Sequence, residues 1–103
     1  MRRNGSRHHQ TLHRYVVVYD VSDDRRRERV ADALCNYGIR VGLSVFEVNL
    51  TAAEAARLRA RAEDLIAPST DRVHLYRLCM TCEAASQRVG SPWRERTETV
   101  ALI

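Results

Sequence analysis

Apolar residues occur in short runs separated by charged segments. The first run, Tyr15-Val16-Val17-Val18-Tyr19, stops at Asp20 and predicts a buried strand that delivers one carboxylate to the end of a sheet. Ser22 or Asp23 is then placed to cap a helix whose apolar stripe is Val30, Ala33, Leu34 and Tyr37. Gly38 is expected to end that helix as its C-terminal cap. Residues 39–50 are rich in β-branched and apolar types and predict one long bent strand or two short ones, with Gly42 as the bulge or turn. Thr51-Ala52-Ala53-Glu54 is a capping box, in which the threonine and the glutamate each satisfy a free N–H at a helix start. The helix it opens turns Ala55, Leu58, Ala62, Leu65 and Ile66 inward and ends by Pro68. Val73 to Leu78 predict another strand, residues 80–90 a turn or short helical segment, and Thr97 to Ile103 a last strand.

The order strand, helix, strand pair, helix, strand is the split βαβ pattern of an α+β, ferredoxin-like βαββαβ fold, here with an additional C-terminal strand. Its helices cover one face of an antiparallel sheet. The other face is commonly buried by a second copy or a ligand, so a two-fold homodimer is expected. Fold alone assigns no function.

With 103 residues, the chain has room for one domain and one core. Residues 1–13 are polar and basic without periodicity and are expected to form a flexible extension, leaving 14–103 as the domain. His8, His9 and His13 fall in that extension, where nothing fixes a ligand geometry. No apolar run approaches the roughly 20 residues that span a bilayer, and the N-terminal segment lacks the apolar core of a signal peptide, so a cytoplasmic protein without membrane contact is expected. Three cysteines do not make a disulfide framework.

Charge adds a direction. The net charge is +4, every one of the 17 basic residues is arginine, and eight of them lie within the first 29 positions. The absence of lysine is the mark of a genome rich in G and C, so the clustering says more than the residue type. Arg25, Arg26, Arg27 and Arg29 crowd the start of the first helix, relieved only partly by Glu28 and Asp32. A solvated helix face with local ion pairs is one reading of them. A surface for nucleic-acid phosphate is the other.

Asp20 likewise has two readings. It caps the next helix or pairs with Arg25 or Arg27, or it contributes to a divalent-metal site beside Ser22, Asp23 and the arginines that would position a phosphate. Cys79-Met80-Thr81-Cys82 has half the spacing of a zinc knuckle without a second pair, which favours buried free thiols or a turn. A redox role is disfavoured because the pair follows a late strand instead of opening a helix after an early one.

Several segments together resemble the CRISPR-associated protein 2 family: Tyr15 to Asp24 with Arg27 and Arg29; Tyr37-Gly38-Ile39-Arg40-Val41; Ser44-Val45-Phe46-Glu47; and Val73 to Cys82. They fall in the family's order across residues 15–103. The resemblance implies a homodimer that binds duplex DNA protospacer and bridges the CRISPR integrase dimers during spacer acquisition. It further implies metal-dependent endonuclease activity on RNA or DNA, with Asp20 of both protomers, as catalytic and metal-binding residue, holding Mg²⁺ or another divalent cation such as Mn²⁺. Nucleic-acid contacts are then expected from Arg25, Arg26, Arg27, Arg29 and Arg40, with Tyr19, Ser22 and Phe46 in support. Gly42 stands where the family commonly has glutamine. The alternative is a stand-alone Mg-dependent endoribonuclease or a toxin-like nuclease of the same fold.

Overall fold

A computed structural model describes residues 11–91. Four strands and three helices follow one another as β1 (His13–Asp20), α1 (Asp24–Cys35), β2 (Gly38–Gly42), β3 (Val45–Leu50), α2 (Ala52–Leu65), β4 (Arg72–Leu78) and α3 (Met80–Ala85). The strands form one antiparallel sheet in the order β2-β3-β1-β4, the ferredoxin-like arrangement expected from the pattern. β1 begins at His13, opposite Leu50, one position ahead of the expected start of the domain. The remainder of the expected extension, apart from Thr11 and Leu12, and the expected strand from Thr97 to Ile103 lie outside the described residues.

The two long helices, α1 and α2, pack on one face of the sheet. Val17 and Tyr19 of β1 and Phe46, Val48 and Leu50 of β3 point into that layer, where they meet Val30, Ala31 and Leu34 of α1 and Leu58 of α2. The apolar run of β1 is therefore buried on one side only, and Val18 on the other is 39% exposed. A central strand of an antiparallel sheet with its long helices on a single face has this asymmetry. In α1 the buried positions are Val30, Ala31 and Leu34, so Ala31 takes the place expected of Ala33, which is half-buried.

Both long helices start as their sequences dictate. The Asp23 carboxylate accepts from the Arg26 N–H at 3.0 Å and caps α1. The capping box of α2 is complete: the Glu54 N–H donates to Thr51 Oγ1 at 3.1 Å, and the Thr51 N–H donates to Glu54 Oε1 at 3.0 Å.

Gly38 is a correction. The C-cap of α1 is Asn36, and Gly38 is already the first residue of β2, paired with Val48. Its backbone lies so close to β3 that a Cβ would stand 2.7 Å from the Val48 Cα and would run into the Glu47 carbonyl oxygen. The glycine is needed for close strand approach, not for a left-handed turn. Residues 39–50 resolve into two strands, and the β2–β3 register shifts between Arg40 and Gly42, where the bulge or turn was expected.

Candidate nucleic-acid interface at the end of the sheet

Successive residues of a strand face opposite ways, and this separates the expected site into two sides. Tyr19 points into the helix layer, whereas Asp20 is exposed and lies opposite Arg72 of β4. Tyr19, Arg40 and Phe46 do come together. The Arg40 guanidinium sits 5.8 Å from the centroid of the Phe46 ring, and the Tyr19 and Phe46 rings lie 6.2 Å apart. Arg40 Nη2 donates to the Tyr19 hydroxyl at 3.4 Å and to the Leu43 carbonyl at 2.6 Å, and the Tyr19 hydroxyl donates to the same carbonyl at 3.3 Å. This cluster fastens the β2–β3 turn to β1. Burial pushes the Tyr19 phenol up from its ordinary value, although Arg40 opposes the shift. Phe46 is fully buried and belongs to the core.

The arginines of α1 are not equivalent. Arg26 Nε donates to Asp71 Oδ2 at 2.8 Å, and its Nη2 reaches Asp71 Oδ1 at 3.5 Å and Ser22 Oγ at 3.3 Å. Arg27 pairs with Asp24 three positions earlier and donates to the Val21 carbonyl at 3.4 Å. Among the described residues, the side chains of Arg25 and Arg29 make no hydrogen bond or ion pair, and both are exposed. Arg29 also lines a shallow groove of about 400 Å³ between α1 and α2, with Asp32, Asn36, Tyr37 and Arg61. Of the expected set, Arg25 and Arg29 are thus the cations free to meet a phosphate.

The sequence did not mark Asp71, yet it organises this end of the molecule. It stands just ahead of β4 and is 6% exposed. Besides Arg26 it accepts from the Ser22 N–H at 3.1 Å, the Ser22 hydroxyl at 3.1 Å, the Ala67 N–H at 2.9 Å and the Thr70 hydroxyl at 3.0 Å. The Arg26 guanidinium, followed by the Ala67 and Ser22 N–H groups and the Thr70 hydroxyl, holds this carboxyl well below the usual carboxylate range. Its partners lie up to 49 positions away, so no local pattern points to it.

Asp20 remains solvent-facing, while Asp23, Asp24 and Asp71 are each committed to an N–H or an arginine. Among the described residues no group of three or more His, Cys, Asp or Glu side chains is placed to hold a metal ion. Cys79 and Cys82 are free thiols that are exposed and not buried as one expectation had them, and Cys79 caps α3, its sulfur accepting from the Cys82 N–H at 3.2 Å. The pair therefore opens the short helical segment expected there, after the late strand β4. No described helix is long and apolar enough to cross a membrane.

Comparison with known proteins agrees with this geometry. The family model for CRISPR associated protein Cas2 matches residues 13–85. A CRISPR-associated endoribonuclease Cas2 of Rhodospirillum rubrum is 42% identical over 82 residues, 80% of this chain and 66% of that protein. One of Chloroflexus aurantiacus is 36% identical over 91 residues, 86% of this chain and 98% of that protein. Among solved structures, a hypothetical protein from Thermus thermophilus aligns with a TM-score of 0.69 at 34% identity, covering 79% of this chain and 94% of its own. Cas2 of Streptococcus pyogenes aligns with a TM-score of 0.65 at 30% identity, covering 75% and 99%. A chain of a partial Cas6-RT-Cas1–Cas2 complex aligns with a TM-score of 0.63 at 27% identity, covering 75% and 84%. Because the family match runs from the first residue of β1 to the last of α3, the chain belongs to the CRISPR-associated Cas2 family.

Proposed function

We propose that this protein acts in CRISPR adaptation as a homodimer that binds duplex DNA and bridges the dimers of a Cas1-type integrase during spacer acquisition. The observation that carries this reading is the exposed pair Arg25 and Arg29 on α1, whose side chains make no hydrogen bond or ion pair among the described residues. Two copies of that face on one dimer make an extended positive surface suited to phosphate backbone, with no requirement for base readout. Arg27 and Arg40 add charge but spend donors on Asp24, on Val21 and on the turn at Leu43. The sheet face opposite α1 and α2, where Val18 and Tyr76 are exposed, supports dimerisation there. A neighbour of this fold assembled with Cas1 supports the integrase as partner.

A second reading, metal-dependent cleavage of RNA or DNA, is favoured by the exposure of Asp20 at a strand end and by the endoribonuclease names of the relatives. One Asp20 carboxylate is too few to hold Mg²⁺ or Mn²⁺. Two copies meeting at a two-fold axis, with waters completing the shell, suit a hard cation that takes oxygen ligands. Such an ion supplies neutralising charge at a phosphate and a more acidic water. Ser22 and the α1 arginines would orient the phosphate beside it. Two ionised aspartates so placed repel one another when no cation lies between them.

The test is duplex binding by the whole chain across a salt series. Replacing Arg25 and Arg29 together by alanine is expected to weaken binding equally for unrelated sequences and to flatten the salt dependence by about 0.9 log units per lost phosphate contact. An unchanged slope removes this face from the interface.

A further inference from the structure

Asp71 is an unusual acid to find under a cationic surface. It is buried, it is not at a helix end, and its two oxygens accept from four residues spread between positions 22 and 70. The contacts divide by function. Ala67 and Thr70 belong to the segment between α2 and β4 and fix the carboxylate in place. Ser22 and Arg26 belong to the segment that leaves Asp20, and the carboxylate fixes them. Ser22 presents both its N–H and its hydroxyl to the same oxygen, Asp71 Oδ1. The residue after Asp71, Arg72, lies opposite Asp20 in the β1–β4 register. The strand end bearing Asp20 is thus held from both sides.

Arg26 stands in a different electrostatic state from its neighbours. Its guanidinium lies side-on against a buried carboxylate and its charge is neutralised locally, whereas Arg25 and Arg29 face solvent. A guanidinium held by two parallel contacts to a carboxylate gives up its geometric fit for phosphate.

We propose that Asp71 masks Arg26 at the nucleic-acid interface: its buried carboxylate, with Ser22, occupies the Arg26 guanidinium and withdraws it from the phosphate-binding set, leaving that role on α1 to Arg25 and Arg29. This rests on the reading of α1 as the duplex-binding face. Arg26 consequently contributes no counterion release. The arginine cluster in the sequence overstates the number of phosphates this protein contacts.

The test is duplex binding across a salt series for the full chain and for Arg29→Ala, Arg26→Gln, Asp71→Asn and the Asp71→Asn/Arg26→Gln double variant, with folding checked by circular dichroism. Arg29→Ala weakens binding and flattens the slope by about 0.9. Arg26→Gln, which keeps an N–H donor for Asp71, leaves affinity within about twofold of the parent and the slope unchanged. Asp71→Asn frees Arg26, so it tightens binding by about threefold or more and steepens the slope by about 0.9, and the double variant reverses that gain. A carboxylate with a merely structural role would weaken binding when replaced. The proposal is overturned if Arg26→Gln weakens binding as Arg29→Ala does, or if folded Asp71→Asn binds more weakly. If Asp71→Asn does not fold, the comparison of Arg26→Gln with Arg29→Ala decides alone. Unchanged binding by Arg29→Ala overturns the reading of α1 itself and this proposal with it.

Discussion

Arg40 Nη2 donates to the Tyr19 hydroxyl at 3.4 Å, and both groups donate to the Leu43 carbonyl. Tyr19→Phe keeps the ring packing and removes both of the hydroxyl's long hydrogen bonds, so it should cost about 1 kcal/mol by urea unfolding at neutral pH. Burial raises the Tyr19 pKa, so the folded state resists its ionisation. The corresponding stability is complete below about pH 10 and is lost as pH rises through the folded-state value. Tyr19→Phe should therefore lose less stability than the parent on the alkaline side. Parallel alkaline curves would contradict this role for the phenol.

Gly38 and Gly42 bracket β2 and predict opposite tolerances. Alanine at 38 must push against the β3 backbone, and destabilisation by about 1–3 kcal/mol is expected. Alanine at 42 meets only the Val45 side chain at 3.5 Å, an ordinary contact, and its effect should stay within about 0.5 kcal/mol. Thermal unfolding of the two variants side by side distinguishes strand contact from helix capping as the reason for Gly38. Equal tolerance at both positions would remove that distinction.

The Asp71 carboxyl is depressed by Arg26 and by its N–H donors. Its contribution to stability is present above the ordinary carboxylate range and is lost as pH falls from about pH 4 toward the lower folded-state value. Asp71→Asn should be less stable than the parent at neutral pH, with the difference narrowing in acid. Urea midpoints measured between neutral and acidic pH check the sign. A gap that widens in acid would show that this carboxylate is not the stabilising form.

Cys79 and Cys82 are expected to react unequally. The Cys82 N–H donates to the Cys79 sulfur and, with the Cys82 side chain, lowers the Cys79 pKa, whereas Cys79 raises that of Cys82. Brief alkylation with iodoacetamide near neutral pH, read by mass spectrometry of peptides, should label Cys79 first. Equal rates would mean that the cap does not govern thiol reactivity.

Local signals carried most of the fold. The Thr51–Glu54 box and the Asp23 cap act within three positions, so neighbouring residues suffice to reveal them. The strand order followed from the sequence of elements, and Tyr15 to Asp20 were read as a strand because their run is short and bounded by charge. What the pattern missed depends on distance. Gly38 follows a helix and so resembles a cap, but its necessity comes from Glu47 and Val48 on the adjacent strand. The arginines of α1 looked alike in sequence, and only the fold brings Asp71 to Arg26 and leaves Arg25 and Arg29 free. Tyr19 and Asp20 serve opposite sides of the sheet for a simpler reason, since adjacent strand residues point to opposite faces.

Spacer acquisition in cells carrying the cognate integrase tests the architectural role most directly, with Asp20→Asn set against the Arg25→Ala/Arg29→Ala variant. Duplex binding by the arginines predicts that Asp20→Asn acquires spacers at a frequency close to the parent while the double arginine variant loses acquisition. Loss of acquisition in Asp20→Asn with the integrase complex still assembled, or full acquisition by the arginine variant, would contradict it.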